Sequence, residues 1–115
     1  MYLESVGQVL AERTLDLDVG GRRRAVTVLI GTPRPLPGST DCFCAYQIRG
    51  LSDETVRYAG GVDAAQALYL AMEAVGTYLS STPESRSGRL TWYGESALGF
   101  PVRDQRPQLR LVASS

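Results

Sequence analysis

Apolar and polar positions alternate over the first third of the chain. Val9, Ala11, Arg13, Leu15, Leu17 and Val19 interleave with Leu10, Glu12, Thr14, Asp16 and Asp18. A period of two predicts a strand with one buried face. Gly20-Gly21 follows, a two-residue turn that tolerates positive φ at both positions. Beyond it Arg24 to Ile30 resumes the pattern, with Val26, Val28 and Ile30 on one face. The two apolar faces meet one core, so this is a hairpin.

Residues 31–40 hold Pro33, Pro35 and Pro37 at alternate positions. Proline fixes φ and supplies no amide hydrogen, which predicts an extended surface loop. A third strand is expected from Cys42 to Gly50, with Cys42, Cys44, Tyr46 and Ile48 on one face. The turn Ser52-Asp53-Glu54 leads to a fourth from Thr55 to Ala59, with Val56 and Tyr58 facing together. Four antiparallel strands in sequence order predict a meander.

The period then changes. Gly60-Gly61 ends the sheet, and Asp63 with Gln66 forms a D-x-x-Q capping pair, in which the carboxylate accepts from first-turn amides while the amide reaches back. From Ala64 to about Leu79, the residues Leu68, Met72, Val75 and Leu79 recur at helical spacing, and Ala64, Ala67, Ala71 and Ala74 permit close approach to a sheet. Ser81-Thr82-Pro83 reads as the start of a short second helix, with Pro83 at its first position. A fifth strand is expected over Arg89–Tyr93, Leu90 and Trp92 pointing inward, and Gly99 to Val102 as a short return segment. The fold class is therefore α+β, an antiparallel meander of four to five strands packed on one long helix. It forms a single domain over residues 1–102, followed by a polar, mobile tail over 103–115 in which Leu109, Leu111 and Ala113 alternate weakly.

Composition narrows the chemistry. The chain of 115 residues has no histidine, and its twelve basic residues, all arginines, balance twelve acids. Histidine is the usual acid–base catalyst near neutrality and lysine the amine nucleophile; arginine stays protonated and does neither job. An enzyme built here would rely on Asp, Glu, Arg and Tyr alone. The balanced charge argues against a nucleic-acid or anionic-membrane partner. No run approaches the apolar length that spans a bilayer, and no basic-then-apolar leader is present, so a cytoplasmic location is expected.

No motif calls for a metal or a cofactor. Cys42 and Cys44, two apart on one strand face, lie roughly 6–7 Å apart by strand rise, too far for a disulfide. A zinc site lacks its other ligands, so both thiols are expected to pack as small hydrophobes. Gly60-Gly61 before a helix has neither G-x-G-x-x-G nor a P-loop lysine, and Asp63 puts a carboxylate where a phosphate would sit. Arg22-Arg23-Arg24 lies opposite Asp16 and Asp18 in the hairpin and is expected to be a solvated strand end.

Several segments, namely Ile30-Gly31-x-Pro33-Arg34-Pro35, Tyr46-Gln47-Ile48-x-Gly50-Leu51, Val56-Arg57-x-Ala59-x-Gly61-Val62-Asp63-Ala64-x-Gln66-Ala67-Leu68, Ser87-Gly88-Arg89-Leu90-Thr91-Trp92 and Leu98-Gly99-Phe100-Pro101, together resemble a family of small uncharacterised bacterial proteins. The resemblance spans roughly residues 8–102. It implies one complete domain and no activity, cofactor or catalytic residue.

The expectation for function is a non-enzymatic protein-binding module, in its most specific form an immunity-type protein that occludes a toxin. Arg34 in the proline loop, with Tyr69 and Glu73 on the helix, are its candidate contacts, tyrosine being enriched at interfaces. The alternative is a small-ligand-binding domain using Arg49, Tyr58 and Trp92 in the cleft between sheet and helix. If the Arg13 or Thr55 strand is left as an uncovered edge, edge pairing or helix-face packing into a homodimer follows.

Overall fold

A computed structural model describes residues 1–103; of the tail expected over 103–115 it describes Arg103 alone, and the rest, including Leu109, Leu111 and Ala113, lies outside the described residues. In chain order the elements are β1 (Val9–Val19), β2 (Arg22–Gly31), β3 (Arg34–Pro35), β4 (Cys42–Arg49), β5 (Arg57–Gly61), α1 (Ala64–Ser80), α2 (Pro83–Arg86) and β6 (Leu90–Thr91). The fold is α+β, an antiparallel sheet of six strands with one main helix on one face. Among the described residues no helix is long and apolar enough to cross a membrane.

The β1–β2 hairpin turns at Gly20 and Gly21, whose φ values of 59° and 83° suit the two-residue turn their position demands. Asp18 Oδ1 closes it by accepting from Gly21 N at 2.9 Å. Across the sheet the strands run β6, β1, β2, β4, β5. Phe43 pairs with Arg34 on one side and with Gly60 on the other, so β3 extends the edge of β4 that β2 occupies. The expected surface loop is thus in part a strand, because Leu36 N reaches Asp41 O at 2.8 Å and folds the segment back along β4.

The core lies between the sheet and α1. Leu15, Leu17, Val26, Val28, Ile30, Cys44 and Ile48 supply the sheet side, and Ala67, Ala71, Val75 and Leu79 the helix side. The helix stripe differs from expectation: Leu68 and Met72 are only half-buried, while the small Ala67 and Ala71 take the contact positions. The reason is close approach. A side chain on Gly61 of β5 would come within 2.5 Å of Ala67 N, so glycine lets strand and helix backbones meet where the small Ala67 sits. The capping pair forms, Asp63 Oδ1 accepting from Gln66 N and Gln66 Oε1 from Val62 N, both at 2.8 Å.

Two strand boundaries shift. The fourth expected strand begins at Arg57 instead of Thr55, since Asp53 Oδ1 accepts from Thr55 N at 3.0 Å and holds those residues in the turn. With that start Arg57 pairs with Tyr46, Tyr58 with Ala45 and Ala59 with Cys44, which turns Tyr58 to the face away from α1. The fifth expected strand shrinks to Leu90–Thr91, after which Trp92 and Glu95 form an isolated bridge. The return segment at Gly99–Val102 is no strand. It straps across the helix at Gly76, where a side chain would collide with Pro101 O. Arg103 N then bonds Thr77 Oγ1 at 3.1 Å.

Candidate functional site

The expected contact residues fall on two sides of the molecule. Arg34 lies over the Phe43 ring at 4.8 Å. Phe43 alternates with the core residue Cys44 and therefore faces away from α1, where it meets Tyr58 edge-on at 5.8 Å. Tyr69 and Glu73 are on α1, on the other side of the sheet; Tyr69 is exposed and Glu73 has Arg103 Nε 3.8 Å away. Arg34 thus shares no surface with Tyr69 and Glu73. The ligand candidates do not converge either. Arg49 and Tyr58 face away from the helix, Arg49 Nε donating to Gln47 Oε1 at 3.3 Å, whereas Trp92 sits beneath Arg13 beside β1.

What the fold does assemble is a groove between α1 and β1. Helix α1 settles on β4 and β5, and the core-side face of β1 is left only partly covered at Ala11 and Arg13. The strap fills one end: Arg13, on the apolar phase of β1, stacks on Trp92 at 3.9 Å and on Phe100 at 4.7 Å. Its Nη1 donates to Leu98 O at 3.2 Å and Gly99 O at 3.0 Å. The guanidinium is thereby committed to holding the strap. The remaining space, about 160 Å³, is lined by Val28 and Ile30 of β2, Leu68 and Met72 of α1, Leu10 to Arg13 of β1 and Phe100.

The groove opens onto an unpaired strand edge. β6 covers β1 only opposite Asp16 and Leu17, and Asp18 N donates to Arg89 O at 2.9 Å on that side. Strand alternation then turns the N–H and C=O of Thr14 and Glu12 to the same edge. Among the described residues they have no partner there. Next to them Val9 and Leu10 stand at an irregularity in the β1–β2 register, and Leu10 is 50% exposed. An edge of this kind accepts an extended chain by main-chain hydrogen bonds while a pocket beside it takes alternate side chains. Glu12, exposed and lining the groove, has no basic partner among the described residues.

Leu10, Leu68 and Met72 were not singled out as site residues from sequence. The one available signal was Leu10, an apolar residue in the polar phase of β1. The fourth expected strand is also an edge, since β5 pairs only with β4 among the described residues.

A family model for a domain of unknown function matches residues 11–102. The chain belongs to DUF6968. That match spans β1 from Ala11 through the strap, so the DUF6968 domain includes the groove walls apart from Leu10. No curated protein and no solved structure matches the chain. Among the described residues no group of three or more Cys, Asp or Glu side chains could hold a metal ion.

Proposed function

We propose that this DUF6968 chain is a non-enzymatic protein-binding module that takes an extended segment of a partner protein along β1. One observation carries the reading: an apolar groove lies directly beside unpaired backbone groups of an edge strand. The two features together fit a strand, because the free amides and carbonyls of Glu12 and Thr14 need an extended backbone and the groove needs apolar side chains from it. Glu12 favours a basic residue in that segment, and Arg13 does not oppose it, its charge being turned to the strap. An immunity-type protein that occludes a toxin is the specific form of this reading, and such a segment on the toxin would be what it covers.

The test is purification of the tagged protein at native expression level from its own host, with co-purifying proteins identified by mass spectrometry. The expected result is one stoichiometric partner, lost in Leu68→Glu and Met72→Glu and retained in Arg49→Glu, with circular dichroism confirming that all three fold. A partner that is a toxin selects the immunity form. A clean monomer, or a partner indifferent to both groove variants, overturns the reading. A dimer on size exclusion that the same variants dissociate assigns the groove to a second copy of the chain instead.

A further inference from the structure

A second cleft lies on the other flank of α1 and shares no lining residue with the groove. It holds about 220 Å³ and is lined by Tyr46 and Ile48 of β4, Asp53, Thr55, Arg57 of β5, and Tyr78 in the last turn of α1. Tyr46 and Arg57 are directly opposed across β4 and β5, so both project from the core-side face. Arg57 Nη2 donates to Asp53 Oδ2 at 2.8 Å, and Asp53 Oδ1 accepts from Thr55 N at 3.0 Å.

Each oxygen of Asp53 accepts one of these bonds, and only one nitrogen of Arg57 is used. Among the described residues the other guanidinium nitrogens and the hydroxyls of Tyr46 and Tyr78 have no protein partner. The guanidinium nitrogens left over are donors, in a fork that matches a carboxylate, and the two hydroxyls can donate as well as accept. The remaining walls, Ile48 and two tyrosine rings, are apolar. The volume is below the roughly 300–1,000 Å³ typical of drug-sized sites, which limits a ligand to about one ring.

We infer that this cleft binds a small aromatic carboxylate, with the carboxylate on Arg57 and the ring against Ile48 and the tyrosines. Asp53 is a positioning residue: it fixes one side of the guanidinium and leaves the other for the ligand. The site is independent of strand addition at β1 and stands or falls separately.

Benzoate is the probe, titrated into the full chain with amide chemical shifts as readout and neutral benzamide as the comparison. The expected result is saturable binding with shifts centred on Tyr46, Arg57 and Tyr78. Benzamide is expected to bind about tenfold or more weaker, the loss of one charge-assisted hydrogen bond. Arg57→Gln should weaken benzoate by about the same factor, and Tyr78→Phe by a smaller one, each with an unchanged amide spectrum elsewhere. Shifts centred on Arg22–Arg24, equal binding of benzamide, no saturation, or undiminished benzoate binding by both variants would each overturn the assignment. Should Arg57→Gln fail to fold, Tyr78→Phe and the benzamide comparison decide alone.

Discussion

The guanidinium of Arg13 stacks 3.9 Å from the centre of the Trp92 ring, tying the middle of the first strand to a segment nearly eighty residues later. The same side chain donates to two successive carbonyls, of Leu98 and Gly99, and stacks on Phe100. Arginine can do this because its planar, weakly hydrated head stacks and forks at once. Arg13→Ala is expected to lower unfolding free energy by about 2–3 kcal/mol, from two carbonyls losing a charged donor and two rings losing their cation. Arg13→Lys is expected to recover less than half of it, since an ammonium cannot stack flat on either ring. Urea denaturation of the two variants measures the difference.

Gly76 offers a test in which the usual sign reverses. Glycine within a helix is ordinarily improved by alanine, by about 1 kcal/mol. Here the added methyl would strike Pro101 O and come within 3.0 Å of Phe100 Cβ. Gly76→Ala is therefore expected to destabilise by about 1–3 kcal/mol, the range for overpacking a filled contact. It should also speed hydrogen exchange at the Arg103 amide, which bonds Thr77 Oγ1 in the native protein, because the strap is what must move. Stabilisation by the substitution would show that the strap does not lie on the helix in solution.

The pair formed by Asp53 and Arg57 predicts an acid response with a definite sign. Hydrogen bonds from Thr55 and Arg57 lower the Asp53 carboxyl from 3.8 to about 2. A depressed folded-state value means that the unfolded chain takes up the proton first as pH falls. The stabilising contribution is thus complete above about pH 4 and is lost progressively toward pH 2. The stability gap between wild type and Asp53→Asn is expected to narrow across that window, as followed by urea midpoints at several pH values. A gap that stays constant from pH 5 to pH 2 would mean that the carboxylate is unpaired in solution.

The hairpin, the helix and their boundaries were legible because they rest on local chemistry: alternation ending in Gly20-Gly21, and Asp63 with Gln66 opening a 3.6-residue period. The fourth strand slipped by two residues because a single side chain, Asp53, captures the amide of Thr55, and propensity does not register such a contact. The helix stripe was read by size, placing Leu68 and Met72 on the core. The close approach of Gly61 to Ala67 favours the small face instead and leaves those larger residues to wall the groove. Neither the groove nor the phenol-lined cleft could be read from spacing, since each exists where α1 ends its coverage of the sheet. The one positive trace was Leu10, standing out of phase in β1.

The two cysteines share a strand face yet differ in surroundings, and their reactivity should separate accordingly. Cys44 is buried, its Sγ donating to Gly31 O at 3.3 Å, and burial raises its thiol above the ordinary 9.0. Cys42 is free and only half-buried at the first residue of β4. The thiolate is the reactive form, so burial slows Cys44 both by access and by proton affinity. Iodoacetamide at pH 8 is expected to add once, at Cys42, with Cys44 modified only as the chain unfolds. Intact-mass measurements on wild type and Cys42→Ser separate the two, the variant staying unlabelled until denaturant is added. Mild oxidation is expected to leave the pair unlinked, since same-face neighbours two apart in a strand exceed the Cβ separation a disulfide tolerates. Labelling of Cys44 in the native variant at the rate of Cys42 would instead mean that β4 opens from β2 without global unfolding. The raised thiol also sets a sign at high pH: above about pH 9 the unfolded chain sheds this proton more readily than the folded one. Stability should therefore fall more steeply there in wild type than in Cys44→Ala.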